Sequence, residues 1–160
     1  MKKEIILNLT KKQFKELLLD VMVGTYVRGG VADALEQDWQ KFEKITDYLV
    51  EQAKVAGFSD LVQNFMGHNR PCDELCDAEE EIMEIYNDDE FWHEIATRLG
   101  QRDFERQKTK EDEKYMQENN GQYPEKIHEI YDKYEKEFET YGLERLEIVK
   151  NNIFILNDKK

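Results

Sequence analysis

The chain has 160 residues, of which 36 are acidic and 23 basic, for a formal net charge of −13. An excess of negative charge repels nucleic acid and lipid headgroups and attracts cations or basic protein surfaces, so no direct nucleic-acid or membrane contact is expected. Eight Phe, eight Tyr and two Trp exclude a disordered chain, which lacks aromatics.

The length fits one domain over residues 1–160, since ~100–200 residues per domain is usual. Cys72 and Cys76 are the only cysteines; two thiols four apart make no disulfide framework, which suits a reducing compartment. Met1-Lys2-Lys3-Glu4 leads into an apolar run too short for a signal peptide. No stretch approaches the ~18 apolar residues of a membrane span. A soluble, cytoplasmic protein is expected.

In chain order, Glu4 to Leu9 alternates as a strand, with Ile5, Leu7 and Leu9 on one face. Thr10 to Gln13 has capping-box spacing, and Leu9 and Phe14 occupy the two positions of a hydrophobic staple. Phe14, Leu17, Leu18, Val21 and Met22 then form the apolar face of a first helix, broken at Arg28-Gly29-Gly30. A second helix follows from Leu35, Trp39, Phe42, Ile45, Leu49 and Ala53, ending near Gly57. Ser59 suits the cap of a short third helix through Met66, and Gly67 to Pro71 reads as a loop.

Pro71 is placed to open the next helix, on which Leu75, Ala78, Ile82, Ile85 and Tyr86 form an apolar stripe. Asn87-Asp88-Asp89 is expected to separate it from a fifth helix with Trp92, Ile95, Ala96, Leu99 and Phe104. Thr109 opens a short polar helix before a loop at Gly121. Pro124 starts a long helix with Ile127, Tyr131, Tyr134, Phe138 and Tyr141 in register and Gly142 at its end, a stripe expected to be core more than a dimer seam. Leu143–Val149 and Ile153–Leu156 read as a hairpin turning at Asn151-Asn152. The expected fold is α+β and mainly α-helical: six or seven helices with a small antiparallel sheet formed by the N-terminal strand and the C-terminal hairpin. Trp39 and Trp92 are expected core anchors.

The charge is local. Residues 1–70 carry ten acids and ten bases, and residues 98–160 carry fifteen acids and thirteen bases. Between Pro71 and Thr97 stand eleven acids and no Lys or Arg. A charge run is usually a solvated helix face. Its functional reading is a docking face for a basic partner, with Asp77, Glu80, Glu81, Glu84 and Asp88 as the contact residues of an acidic helix over about 72–94. One form of such docking is mimicry of a nucleic-acid backbone by an inhibitor.

Two other patterns carry chemistry of a different class. Glu90-x-x-His93 and Glu125-x-x-His128 each put a carboxylate and an imidazole on one helical face, the step used by the di-iron site of ferritin-like bundles. That resemblance covers only these four residues, and their helices' apolar residues point the other way. His68, Cys72 and Cys76 have the donor types of a zinc or other transition-metal site, without the usual C-x-x-C spacing. The plain alternative is a loop histidine and two small, partly buried thiols.

Other chemistries find little support. Neighbouring carboxylates work against a Cys–His nucleophile. Ser59 is the only serine, which leaves little room for serine chemistry. Calcium-loop and phosphate-loop patterns are missing. With 36 acids some pair always suits carboxylate hydrolysis, which carries no information. The expectation is a non-enzymatic interaction protein without a cofactor, with a homodimer allowed and a zinc or iron protein as the alternative.

Overall fold

The computed structural model describes residues 6–149 and 152–156, and it gathers the chain into two compact units, Met1–Tyr86 and Asn87–Lys160. The fold is mainly α-helical, with five helices and two two-stranded antiparallel sheets among the described residues.

The first unit begins with α1 (Lys11–Ala34) and α2 (Gln40–Val55). Thr10 caps α1 as a full capping box: Gln13 N–H donates to Thr10 Oγ1, and Gln13 Oε1 accepts from the Thr10 backbone at 3.0 Å. Leu9 packs against the cluster containing Phe14, as the staple pattern requires. A single 3₁₀ turn (Ser59–Leu61) leads into the hairpin of β1 (Val62–Phe65) and β2 (His68–Pro71), which pairs Val62 with Pro71 and Phe65 with His68. The core of this unit is Phe14, Leu18, Met22, Leu49, Val50, Ala53, Leu61 and Leu75. Leu18 and Ala53 are sealed from solvent, and burying a Leu side chain stabilises by ~1.5–3 kcal/mol.

A third helix, α3 (Asp73–Gln107), carries the chain into the second unit, which continues with α4 (Lys110–Glu118) and α5 (Ile127–Tyr141). Tyr134, Phe138 and Ala96 are buried together, with Trp92, Ile95, Leu99, Ile130 and Leu146 packed against them. The rings of Trp92 and Phe138 lie 5.6 Å apart. Phe104 is fully buried edge-on to Tyr123. Gly100 sits against Tyr131, where any Cβ would collide with the ring. Gly142 ends α5 at φ 54°, its N–H donating to Phe138 O at 2.8 Å. The antiparallel pair β3 (Leu146–Val149) and β4 (Asn152–Leu156) closes the described chain.

Several expectations are corrected. Five helices replace six or seven because the expected fourth and fifth helices are one continuous α3 and the expected third is a single 3₁₀ turn, and a further expected break lengthens α1 without changing the count. Gly29 and Gly30 lie inside α1, where Thr25 bonded to Thr46 and Arg28 stacked on Phe42 hold the helix to α2. Asn87-Asp88-Asp89 lies inside α3, since none of these residues is Gly or Pro and the propensity penalty of each is well below ~1 kcal/mol.

The expected third helix is the 3₁₀ turn followed by β1, and the loop after it is β2. The expected N-terminal strand joins no sheet over residues 6–9; Leu9 is used instead to staple α1, and Glu4 and Ile5 lie outside the described residues. The two C-terminal strands pair with each other, and Asn152 belongs to β4. Trp39 is 42% exposed at the start of α2 and anchors no core, while Ile45 and Tyr141 are also exposed.

Candidate functional site

The acidic face is built on the first half of α3. Cys72 O accepts from Leu75 N and Cys76 N, which starts the helix. Asp73 and Glu74 occupy the first turn, where the helix dipole favours negative charge.

The ends of the acidic block are neutralised by neighbours. Arg70 Nη2 bonds Asp73 Oδ1 at 2.9 Å, and Gln63 Nε2 donates to the same oxygen at 2.6 Å. Lys15 Nζ lies 2.6 Å from Glu74 Oε1, and Arg98 Nε lies 2.6 Å from Glu94 Oε2. These are exposed pairs that orient side chains more than they stabilise the fold.

Between those ends, four carboxylates of the first unit stand free of ion pairs among the described residues. Asp77, Glu80, Glu81 and Glu84 are all exposed, and among the described residues no Lys or Arg reaches ion-pair distance of them. Steps of three and four residues place them on one side of α3. At 1.5 Å rise per residue they cover ~10 Å of helix.

Beside this stripe lies an apolar strip that periodicity alone reads as buried. Ile82, Ile85 and Tyr86 are 41%, 65% and 53% exposed. The burial expected of them falls on Leu75 and Met83, with Ala78 partly covered. Glu79 shares that inner side, and burial pushes its carboxyl above the usual carboxylate range. Asp88, in the second unit, accepts from Trp92 Nε1 at 3.2 Å.

The metal-type residues do not converge. His68 is exposed at the start of β2. Cys72 and Cys76 both pack against the first core. Cys76 Sγ faces Pro71 O at 3.8 Å, and burial raises its pKa although Arg70 opposes the shift. Glu90, His93, Glu125 and His128 are exposed, with His128 edge-on to Tyr131. Among the described residues no group of three or more His, Cys, Asp or Glu could hold a metal ion.

The second unit holds a polar network that gave no sequence signal. Tyr134 Oη donates to Asp103 Oδ2, Arg102 Nε donates to Asp103 Oδ1 at 2.8 Å, and Arg102 Nη2 donates to Tyr134 Oη at 3.1 Å. Burial and the bond to Asp103 push the Tyr134 phenol up to about 12. Burial alone would raise Asp103, but the bonds from Arg102 and Tyr134 hold it below the usual range. An open groove of about 530 Å³ borders this network, lined by Asp103, Arg106, Glu129, Lys133 and Tyr134 among others. Its phenol is engaged and its charges are mixed, so it offers neither a poised nucleophile nor a poised base.

No described helix is long and apolar enough to cross a membrane. No protein-family model, no curated protein and no solved structure matches this chain.

Proposed function

We propose that this chain is a non-enzymatic interaction protein whose acidic helix face, centred on Asp77, Glu80, Glu81 and Glu84, docks on a basic partner surface. The observation that carries the reading is the contrast within one block. Carboxylates at its ends are paired, whereas Asp77, Glu80, Glu81 and Glu84 between them are exposed beside exposed Ile82 and Ile85. Like charges four apart, such as Glu80 and Glu84, cost a few tenths of ~1 kcal/mol per pair, a small price that the fold itself does not require.

The adjoining apolar strip defines the partner more narrowly. A surface that fits carries Lys or Arg set beside apolar side chains, so that charge steers the encounter and apolar contact slows release. Regular carboxylates on a rigid helix also suit a protein whose ordinary ligand is a nucleic-acid backbone, which makes inhibition by mimicry one form of the same docking.

The test is capture from a host lysate at low and moderate salt. It compares the wild type, Glu80→Lys/Glu81→Lys/Glu84→Lys, and a control reversal on α5, Glu135→Lys/Glu139→Lys. The reading expects a basic protein held by the wild type and the control, lost by the reversed α3, and displaced by double-stranded DNA if mimicry operates. Equal capture by all three proteins would end it.

A further inference from the structure

Cys72 and Cys76 are the only cysteines of the chain, and the start of α3 holds them one helical turn apart. Cys76 N donates to Cys72 O at 3.1 Å. That is the bond of an α-helical turn, which sets the two Cβ atoms ~5–6 Å apart on one face. Both side chains are half-buried and pack against the cluster that contains Phe14, Leu18 and Leu75. The pairing is local, resting on one hydrogen-bonded turn and on the core of the first unit.

This spacing separates two fates of a thiol pair. A disulfide needs Cβ atoms ~3.5–4.5 Å apart, so closing one here would distort the first turn of α3. A cation held between two thiolates needs more room. Two metal–sulfur bonds of ~2.3 Å in line place the sulfurs ~4.6 Å apart, which suits neighbours on consecutive turns. Thiolates are soft donors, and they select Cu(I), zinc and iron–sulfur clusters. Structural zinc takes four ligands, and among the described residues no group of three or more His, Cys, Asp or Glu gathers. Cu(I) is saturated by two thiolates in line.

The surroundings suit such a complex, which carries one negative charge. Burial raises the Cys76 pKa, and Arg70 opposes that shift by favouring the thiolate. Glu74 raises the Lys15 pKa and Cys72 adds to it, so the Lys15 ammonium stands within charge range of the Cys72 sulfur. Asp73 and Glu79 work against the Cys76 thiolate, but Asp73 is itself paired with Arg70 at 2.9 Å. An apolar shell limits the access of water to a bound metal. His68 takes no part; it is exposed at the start of β2.

We propose that Cys72 and Cys76 form a two-coordinate site for a soft monovalent cation, Cu(I), bridging the first turn of α3. On binding, each thiol releases its proton to solvent and each sulfur donates an electron pair to the metal, with no change of oxidation state.

Anaerobic titration of the reduced chain with Cu(I), in competition with the chelator bicinchoninate, tests the site. The wild type is expected to take one Cu(I) per chain. Cys72→Ser and Cys76→Ser are each expected to lose that uptake with unchanged helical circular dichroism. A second measurement needs no variant: copper-edge X-ray absorption of the loaded wild type should show two sulfurs bound to the metal and no nitrogen or oxygen. The proposal is overturned by no uptake against the chelator, by uptake that survives in either single-serine chain, or by three or more atoms bound to the metal. Zn(II) held as tightly, or a solution mass that doubles on loading because the metal joins two chains, overturns it as well.

Discussion

Lys126 Nζ donates to Asp112 Oδ2 at 2.6 Å, and Asp112, 7% exposed, is the one charged residue buried among the described residues. The same carboxylate oxygen accepts from Thr109 N at 2.7 Å and Thr109 Oγ1 at 2.8 Å. One side chain thus closes the capping box of α4 and ties it to the turn that precedes α5. Lys126, then the Thr109 backbone, pull the Asp112 pKa down to about 2.

Asp112 therefore predicts a pH dependence with a definite sign. A carboxyl whose folded pKa lies below its unfolded value contributes stability that is whole above pH ~4 and lost as pH falls towards ~2. Urea midpoints of the wild type and Asp112→Asn should differ at pH 6 and converge between pH ~4 and ~2. A gap that stays constant over that window would show that the Asp112 charge is not the source.

Two glycines inside helices predict opposite outcomes for the same substitution. At Gly100 an added Cβ would lie 2.7 Å from Tyr131 Cε1, so Gly100→Ala should destabilise by ~1–3 kcal/mol despite the better helix former. At Gly29 an added Cβ meets nothing within 4 Å, so Gly29→Ala should stabilise by up to ~1 kcal/mol. Thermal unfolding of both variants checks the signs.

Burial of the Cys76 thiol predicts slow alkylation. Its rate with iodoacetamide at neutral pH should fall below that of a free cysteine. It should keep rising with pH beyond the point where a free thiol levels off. Mass-spectrometric rates for the Cys72→Ser chain isolate this site, and reaction at the free-cysteine rate would contradict the buried placement.

The exposed strip on α3 predicts a separation of binding from stability. Ile82→Ser with Ile85→Ser removes apolar surface that the fold leaves in solvent. The urea midpoint should change by no more than the ~0.5 kcal/mol typical of each such surface position. Partner release should quicken.

What the sequence carried and what it hid follow from particular residues. Thr10 with Gln13 and Thr109 at the head of α4 were legible because capping depends on local spacing. Gly142 was legible for the same reason. The β1–β2 hairpin was hidden. Its turn puts Met66 at φ 53° and Gly67 at φ 87°; both angles are positive, as in a type I′ turn, and Met is not a residue that advertises this. Its strands, Val-Gln-Asn-Phe and His-Asn-Arg-Pro, also lack alternation. The free acidic stripe could be read from composition, since Asp77 to Glu84 contains no base. The exposure of Ile82 and Ile85 could not, because periodicity marks an apolar face without saying whether anything covers it.

Docking through the acidic face of α3 is the central claim, and affinity for the captured partner across ionic strength tests it most directly. Between ~0.05 and ~0.2 M salt the wild-type affinity should fall steeply, as an interaction built on exposed charge must. Glu80→Lys/Glu81→Lys/Glu84→Lys should bind ~100-fold more weakly or worse at low salt, since juxtaposed like charges cost several kcal/mol. Equal affinities for the two proteins, flat across the salt range, would contradict the claim.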